Sequence, residues 1–338
     1  MTIEQINKLI FEGELPENAC RANLIETHIS WVLVCDRYVY KIKKPVQYSF
    51  LDFSTVEKRR YFCEREVELN RRLTDNIYLD VVPVREISGR FLIDGKAGAI
   101  IDYAVRMRKM DRNMQMDVLL ANNKVTATDI GNLAEKIAAF HKNTDIIYQK
   151  NLLDVQEMFN DLDAEKDFLH EYLNRNSYTI ICDAINTSNI FMQRNKRLLA
   201  NRLEAGFFRN CHGDLHSRNI FLLPCPQPFD CIEFNDDYRQ IDVLNEVAFL
   251  CMDLDAFGRH DLSDLFINSY NNLFPSIKTD EDRRLFIYYK GYRSNIRAKV
   301  NSLRVREADN DSGRKLLLAE VNKYLTLMDH YMKALATQ

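Results

Sequence analysis

Within Cys211-His212-Gly213-Asp214-Leu215-His216-Ser217-Arg218-Asn219, Asp214 precedes an amide, Asn219, by five positions, and a second carboxylate, Glu233, follows fourteen residues later. Such a set suits phosphoryl transfer to a hydroxyl. That reaction asks a protein for little covalent chemistry. It asks for a carboxylate to orient the attacking hydroxyl and take its proton, and for oxygen ligands to hold Mg²⁺ on the phosphates. Asp214 is the candidate base. Asn219 and Glu233 are the candidate metal ligands, Glu233 lying in Ile232-Glu233-Phe234-Asn235. Asn235 and Asp236 are second choices for the metal or its water. His212 reads as a buried histidine that holds the loop.

The same chemistry needs a cation on the α- and β-phosphates and a carboxylate to orient it. Tyr38-Val39-Tyr40-Lys41 is a strand-like run ending in lysine. Strand alternation puts Val39 and Lys41 on one face, so Val39 can floor an adenine while Lys41 reaches the phosphates. Lys43 shares that face and competes for the role; Lys44 points away. Glu64, Glu66 and Glu68 lie on the next helix. Glu66 is preferred, because Phe62 and Leu69 stand four before and three after it on the packed face. No G-x-x-x-x-G-K-[ST] and no G-x-G-x-x-G occurs. The phosphate roof expected at Thr27-His28-Ile29-Ser30 must use backbone N–H groups of a tight hairpin, or Ser30.

The elements that would position these groups form two parts. Residues 1–12 suit a short helix. Ile29–Cys35 and Tyr38–Lys43 suit strands joined by an Asp36-Arg37 turn. Ser54-Thr55-Val56-Glu57 reads as a capping box opening a helix to about Arg72. Val81–Ile87, Phe91–Asp94 and Ala99–Met107 suit strands. Helical periodicity then dominates at 127–142, 152–174, 191–206, 242–257, 261–273, 280–304 and 314–335. A hairpin of Ile220–Leu223 with Phe229–Phe234 interrupts it. The plan is α+β, with a β-rich lobe at 1–104 and a helical lobe at 105–338.

Composition agrees with a globular chain of 338 residues, 46% hydrophobic and 28% charged. A formal net charge of −3 argues against binding nucleic acid by bulk electrostatics. No apolar run approaches the ~18 residues of a membrane helix, and the N-terminus lacks a signal-peptide pattern. Eight cysteines without a C-x-x-C pair suit reduced thiols in the cytoplasm.

The residues resemble a known group. H-G-D-L-H-x-x-N followed by an acidic strand is similar to the pattern of bacterial kinase-like phosphotransferases of the aminoglycoside phosphotransferase superfamily, in particular a group often fused to a P-loop ATPase or kinase domain. Ile25 to Trp31, Tyr40 to Val46, Phe50 to Ser54, Glu66 to Leu73, Ile232 to Asn235, Ile241 to Val243 and Ala248 to Leu250 carry the likeness. It implies a protein-kinase-like two-lobe fold with ATP and Mg²⁺ as cofactors. It implies Lys41 and Glu66 as an ion pair, Asp214 as base, Asn219 and Glu233 as metal ligands, and Asp242 as an anchor below the loop. A hinge binding adenine would lie near Arg106, Met107, Arg108 and Met110. The P-loop domain is expected to come, if needed, from a separate protein partner.

For the acceptor, 230–264 holds ten acidic residues, whereas 283–304 holds seven basic ones and no acid. Leu285, Tyr289, Tyr292, Ile296 and Leu303 form an apolar stripe beside Lys290, Arg293, Arg297 and Arg304. The two stretches either neutralise each other or offer a basic wall to an anionic small molecule, with Arg293, Arg297 and His216 as acceptor residues. The leading expectation is a small-molecule kinase. A protein kinase is disfavoured by the seven residues between Glu233 and Ile241. A nucleotide-binding pseudokinase stays open, and a metal hydrolase built on His212-x-Asp214-x-His216 is disfavoured, because with His212 read as a buried loop residue the third ligand has no obvious source.

Overall fold

The computed structural model describes residues 1–16, 22–173, 175–308 and 310–336. The chain forms two compact units, Met1–Leu119 with Arg218–Tyr238, and Leu120–Ser217 with Arg239–Gln338. The segment Arg218–Tyr238, expected with the C-terminal lobe, therefore belongs to the first unit.

In that unit α1 (Ile3–Glu12) starts at a capping box of Thr2 and Gln5. The strands are β1 (Asn23–Glu26), β2 (Ser30–Val34), β3 (Tyr38–Lys43), β4 (Gln47–Tyr48) and β5 (Leu51–Asp52). After α2 (Val56–Arg71) come β6 (Tyr78–Ile87), β7 (Arg90–Ile93) and β8 (Ala99–Arg108). Six of the strands make an antiparallel sheet in the order β1-β2-β3-β8-β6-β7. Tyr40 and Ile42 of β3 pack with Trp31, Leu33, Val84, Ile93 and the α1 residues Ile6 and Leu9. Alternation then turns Val39, Lys41 and Lys43 to the other face. On that face Cys63 and Val67 of α2 pack with Tyr78 and Val105. The α2 cap is Thr55, whose hydroxyl accepts from the Lys58 N–H (3.3 Å). Ser54 instead donates to Asp52 (2.5 Å), so the cap lies one residue later than the sequence pattern suggests.

A short hairpin pairs Ile220–Phe221 with Gln227–Pro228. The second strand was expected at Phe229–Phe234, and the observed one ends just before that range. It stops early because Asp230 takes φ +62° and leaves the ladder, a conformation that Asp tolerates better than most residues.

Following α3 (Met116–Ala121), the second unit contains α4 (Ala127–Asn143), α5 (Asp154–Asn160), α6 (Lys166–Tyr172), α7 (Arg175–Arg194) and α8 (Lys196–Glu204). It continues with α9 (Val243–Ala256), α10 (His260–Leu273), α11 (Asp280–Arg306) and α12 (Asp311–Ala336). Helix α9 is its axis: every residue from Val243 to Asp255 is buried, with α10, α11 and α12 packed on it. Asp242 caps α9 by accepting the Leu244 N–H (2.8 Å) and pairs with buried Arg202 (2.6 Å), which also reaches Asp282 (2.6 Å).

Two helical expectations change. The single helix at 152–174 is broken by a 3₁₀ turn, Asp161–Glu165, where Glu165 accepts from Ser302 (2.6 Å); residue 174 lies outside the described residues. The long α7 was missed over 175–190. Its Ser, Thr, Asn and β-branched residues have low helix propensity, yet Ile181, Ala184, Ser188, Phe191 and Met192 bury one helical face. No described helix is long and apolar enough to cross a membrane.

Candidate active site

In the first unit five charged groups form an alternating row. Asp230 accepts from Lys41 (2.7 Å), Lys41 donates to Glu66 (2.8 Å), Glu66 accepts from Lys43 (2.7 Å), and Lys43 donates to Glu233. The Lys43 and Glu66 side chains are fully buried and Glu233 is 4% exposed. Lys41 is 12% exposed and Asp230 44%. Backbone geometry aims Asp230: its N–H donates to the Tyr78 hydroxyl (3.1 Å), and the next N–H, of Cys231, donates to Asn70 (2.9 Å).

Burial opposes the charge on both lysines, but the carboxylates outweigh it. Asp230, Glu66 and Glu233 hold the Lys41 pKa well above the usual lysine range, and Glu233 and Glu66 raise that of Lys43. Burial would also raise Glu66, yet the two lysines bring it below the ordinary carboxylate value. Glu233 touches one lysine only, and burial raises its pKa.

The row separates the two candidate lysines. Lys43 is locked between two buried carboxylates and lies 4.9 Å from the Phe53 ring, whereas Lys41 lies at the more open end, beside half-exposed Asp230. Lys44 leaves this face, pairing with Glu26 (2.5 Å) over the Trp31 ring. Glu64 and Glu68 are exposed, and Glu64 pairs with Arg60 (2.8 Å). Asn235 accepts the Asp237 N–H (2.9 Å), and Asp236 pairs with Arg65 (2.5 Å), so each has a partner outside the row. Asn219 is 7% exposed in the same unit, and its carbonyl accepts from the Phe229 N–H (2.8 Å).

Two sequence expectations around the nucleotide need correction. Ser30 is fully buried, and its N–H is taken by the Thr27 hydroxyl (2.9 Å), so it forms no roof. In the expected hinge, Arg106 pairs with Tyr40 and Asp80 in the ladder, and its guanidinium is tied to Asp80 and Asp94. The Arg108 N–H donates to Ile77 (2.8 Å). Met107 and Met110 pack beside Val105, Tyr78 and Phe221.

In the second unit Glu246, fully buried on α9, accepts the N–H groups of His212 (2.6 Å) and Gly213 (2.9 Å). Gly213 has φ +89°, which suits glycine. His212 is fully buried, and its Nδ1 accepts the Asp214 N–H (3.2 Å). Ser217 donates through N (2.8 Å) and Oγ (2.5 Å) to Asp253. The loop is thus fixed at both ends, with the Asp214 side chain left 37% exposed and 3.4 Å from His216 Nε2. Burial would raise the Asp214 pKa, but His216, Arg297 and His212 outweigh it and hold it well below the usual carboxylate range. A carboxylate that is ionised at neutral pH accepts a hydrogen bond from a hydroxyl well. As a weak base it suits orientation and late proton transfer.

Arg293 is not a free acceptor residue. It is 5% exposed, donating to Asn245 Oδ1 (2.7 Å) and the Gly213 carbonyl (3.1 Å) over the Phe249 ring. Lys290 is paired with Asp255. On the apolar stripe Leu285, Tyr289 and Tyr292 are buried, whereas Leu303 is 41% exposed. His216 packs its ring 5.2 Å from Phe249. Glu246, Asp253 and the Lys41–Asp230 contact were not anticipated. The sequence signal for Glu246 was its place four residues after Asp242, one helical turn along the buried α9.

Comparison with solved structures decides the fold. The GDP and kanamycin complex of APH(2")-IIIa superposes with TM-score 0.54 at 11% identity, covering 98% of this chain and 99% of that one. The GDP complex of an aminoglycoside 2'-phosphotransferase-IIIa variant gives 0.51 at 12%, covering 99% and 98%. The fold is that of the aminoglycoside phosphotransferases. The same aminoglycoside phosphotransferase fold extends to an ethanolamine kinase of Plasmodium vivax, with TM-score 0.51 at 11% identity, covering 92% and 81%. No family model matches the chain. Uncharacterized proteins of Mycobacterium tuberculosis and Mycobacterium bovis are 31% identical over 307 residues, 87% of this chain. The alignment spans 58% of the length of these curated relatives.

Proposed function

We propose that the chain is an ATP- and Mg²⁺-dependent phosphotransferase acting on a hydroxyl of a small molecule. The observation that carries this is the pairing of Lys41 with Glu66 and Asp230, a cation held in place at the open end of a buried charge row. Lys41 takes the nucleotide phosphates, with Glu66 orienting it. Val39, Met107 and Met110 supply apolar surface for the base. The Asn219 amide oxygen and the Glu233 and Asp230 carboxylates are hard oxygen donors, the class Mg²⁺ prefers. A bound Mg²⁺ would neutralise charge on the transferring phosphoryl group. Asp214 orients the acceptor hydroxyl and receives its proton, while Glu246, His212 and Arg293 keep its loop in shape. The aminoglycoside and ethanolamine named for the solved structures of this fold support an acceptor of that size.

The test is a metabolite-library screen with Mg²⁺-ATP, reading ADP release and phosphate incorporation by mass spectrometry. Acceptor-dependent incorporation supports the proposal. Nucleotide binding without turnover across the library would instead favour a pseudokinase, for which the glycine-free Thr27–Ser30 turn is the supporting observation.

A further inference from the structure

The basic stripe of α11 is spent unevenly. Lys290 is neutralised by Asp255, Arg293 is tied into the Gly213 loop, and Arg304 is exposed. Arg297 stands one turn after Arg293, about 6 Å further along the axis. Its guanidinium lies 5.4 Å from the Tyr324 ring and is stabilised by Tyr324 and the Asp253 charge, but its Nε is buried without a hydrogen-bond partner. The nearby carboxylate is occupied: Asp253 already takes Ser217 N and Oγ and faces the Tyr324 hydroxyl (3.5 Å). A desolvated guanidinium donor left unmatched is costly, and its planar fork suits a carboxylate or phosphate.

Resting on the phosphotransferase reading, we infer that the acceptor is an anionic hydroxy compound, its carboxylate or phosphate received by Arg297 while Asp214 holds its hydroxyl. Arg293 sets the spacing: it grips the carbonyl next to Asp214 from the preceding turn of the same helix. The field of Arg297 reaches Asp214, since it is one of the groups that keep that carboxylate ionised. A cationic acceptor would meet a guanidinium beside its hydroxyl site, so the charge preference runs opposite to that expected for an amine-bearing compound.

The experiment is calorimetric titration of the full chain, without nucleotide, against a matched panel. The anionic members are glycerol 3-phosphate, glycerate and glucose 6-phosphate. The neutral ones are glycerol and glucose, and the cationic ones ethanolamine and kanamycin. At least one anionic member should bind at least tenfold more tightly than its neutral partner. Arg297→Ala and Arg297→Gln should lose that preference, and Arg297→Lys should fall between, keeping charge without the fork. Circular dichroism checks each variant's fold, and Arg297→Lys carries the test if the others unfold. The inference fails if neutral or cationic members bind as tightly as anionic ones, if no anionic member binds, or if the folded variants bind like wild type. Mg²⁺-ATP binding by the wild type is measured in parallel. Its presence with a neutral or cationic preference removes the inference alone; its absence removes the phosphotransferase proposal.

Discussion

Lys41 and Lys43 are two residues apart and share Glu66, yet replacing them should have opposite consequences. Lys43→Met strands two buried carboxylates, Glu233 with no other lysine contact and Glu66 with only Lys41. Removing one partner of a buried ion pair costs about 3–5 kcal/mol. Lys41→Met leaves Glu66 paired to Lys43 and Asp230 nearly half in water. Its loss should lie nearer that of a partly exposed pair, about 1 kcal/mol. Urea unfolding followed by the fluorescence of Trp31 reads this directly. Trp31 is the chain's one tryptophan, lies 5% exposed in β2, and pairs with Ile42 on the strand bearing both lysines. At ~2 kcal/mol per M urea, Lys43→Met should lower the midpoint by about 2 M and Lys41→Met by about 0.5 M. A combined Lys43→Met, Glu233→Leu variant should recover most of the loss, because it removes the buried charges together. Nucleotide binding should invert the order: Lys41→Met abolishes the stabilisation given by Mg²⁺-ATP, whereas Lys43→Met, which keeps Lys41 and Glu233, retains it. Equal midpoint losses for the two single variants would refute the division of labour, and so would loss of nucleotide binding only in the Lys43 variants.

Asp214→Asn should leave nucleotide affinity within a few-fold but lower kcat by roughly two orders of magnitude or more, measured with whichever acceptor the screen identifies. Glu246→Gln should destabilise the loop by about 2–4 kcal/mol, since one backbone N–H then faces an amide donor; faster hydrogen exchange at His212 and Gly213 checks this. Glu233→Gln and Asp230→Asn, titrated separately with Mg²⁺ during turnover, should each raise the metal requirement, and a flat response from either removes it as a ligand. For pH, burial would raise the folded pKa of Glu66, but Lys41 and Lys43 bring it below the ordinary glutamate value. Its contribution to stability is therefore present above that value and lost as pH falls through the folded pKa. Glu233, raised by burial, has the opposite sign: ionising it costs stability as pH rises through its folded pKa. Urea midpoints of wild type and Glu66→Gln should draw together as pH falls below the ordinary glutamate value toward about 2.

Alternation along β3 sufficed to put Lys41 and Lys43 on one face, and the flanking Phe62 and Leu69 sufficed to choose Glu66. Both are local patterns of period 2 and 3.6. The Lys41–Asp230 contact was not legible in this way, because it joins positions 189 apart and depends on a left-handed turn at Asp230. Arg293 looked like a surface cation, for a helical wheel gives a face but not what covers it. Helix α7 was hidden by polar and β-branched residues whose propensity is overridden by the packing of Ile181, Ala184 and Phe191. Glu246 was hidden in a helix with no exposed polar face, where a buried carboxylate is explained by the two loop amides it receives and by His141 beside it.

The shared carboxylate has a consequence for inheritance. Because Glu66 serves both lysines, replacing Lys43, Glu66 or Glu233 alone passes through an ancestor with an uncompensated buried charge, a state most lineages would lose, and replacing Lys41 or Asp230 alone through one with a broken, partly exposed pair. Substitutions should therefore be inherited as couples, Lys43 with Glu233 and Lys41 with Asp230. Glu66 contacts a lysine of each couple and should be the slowest of the five to drift, even in descendants whose acceptor has changed.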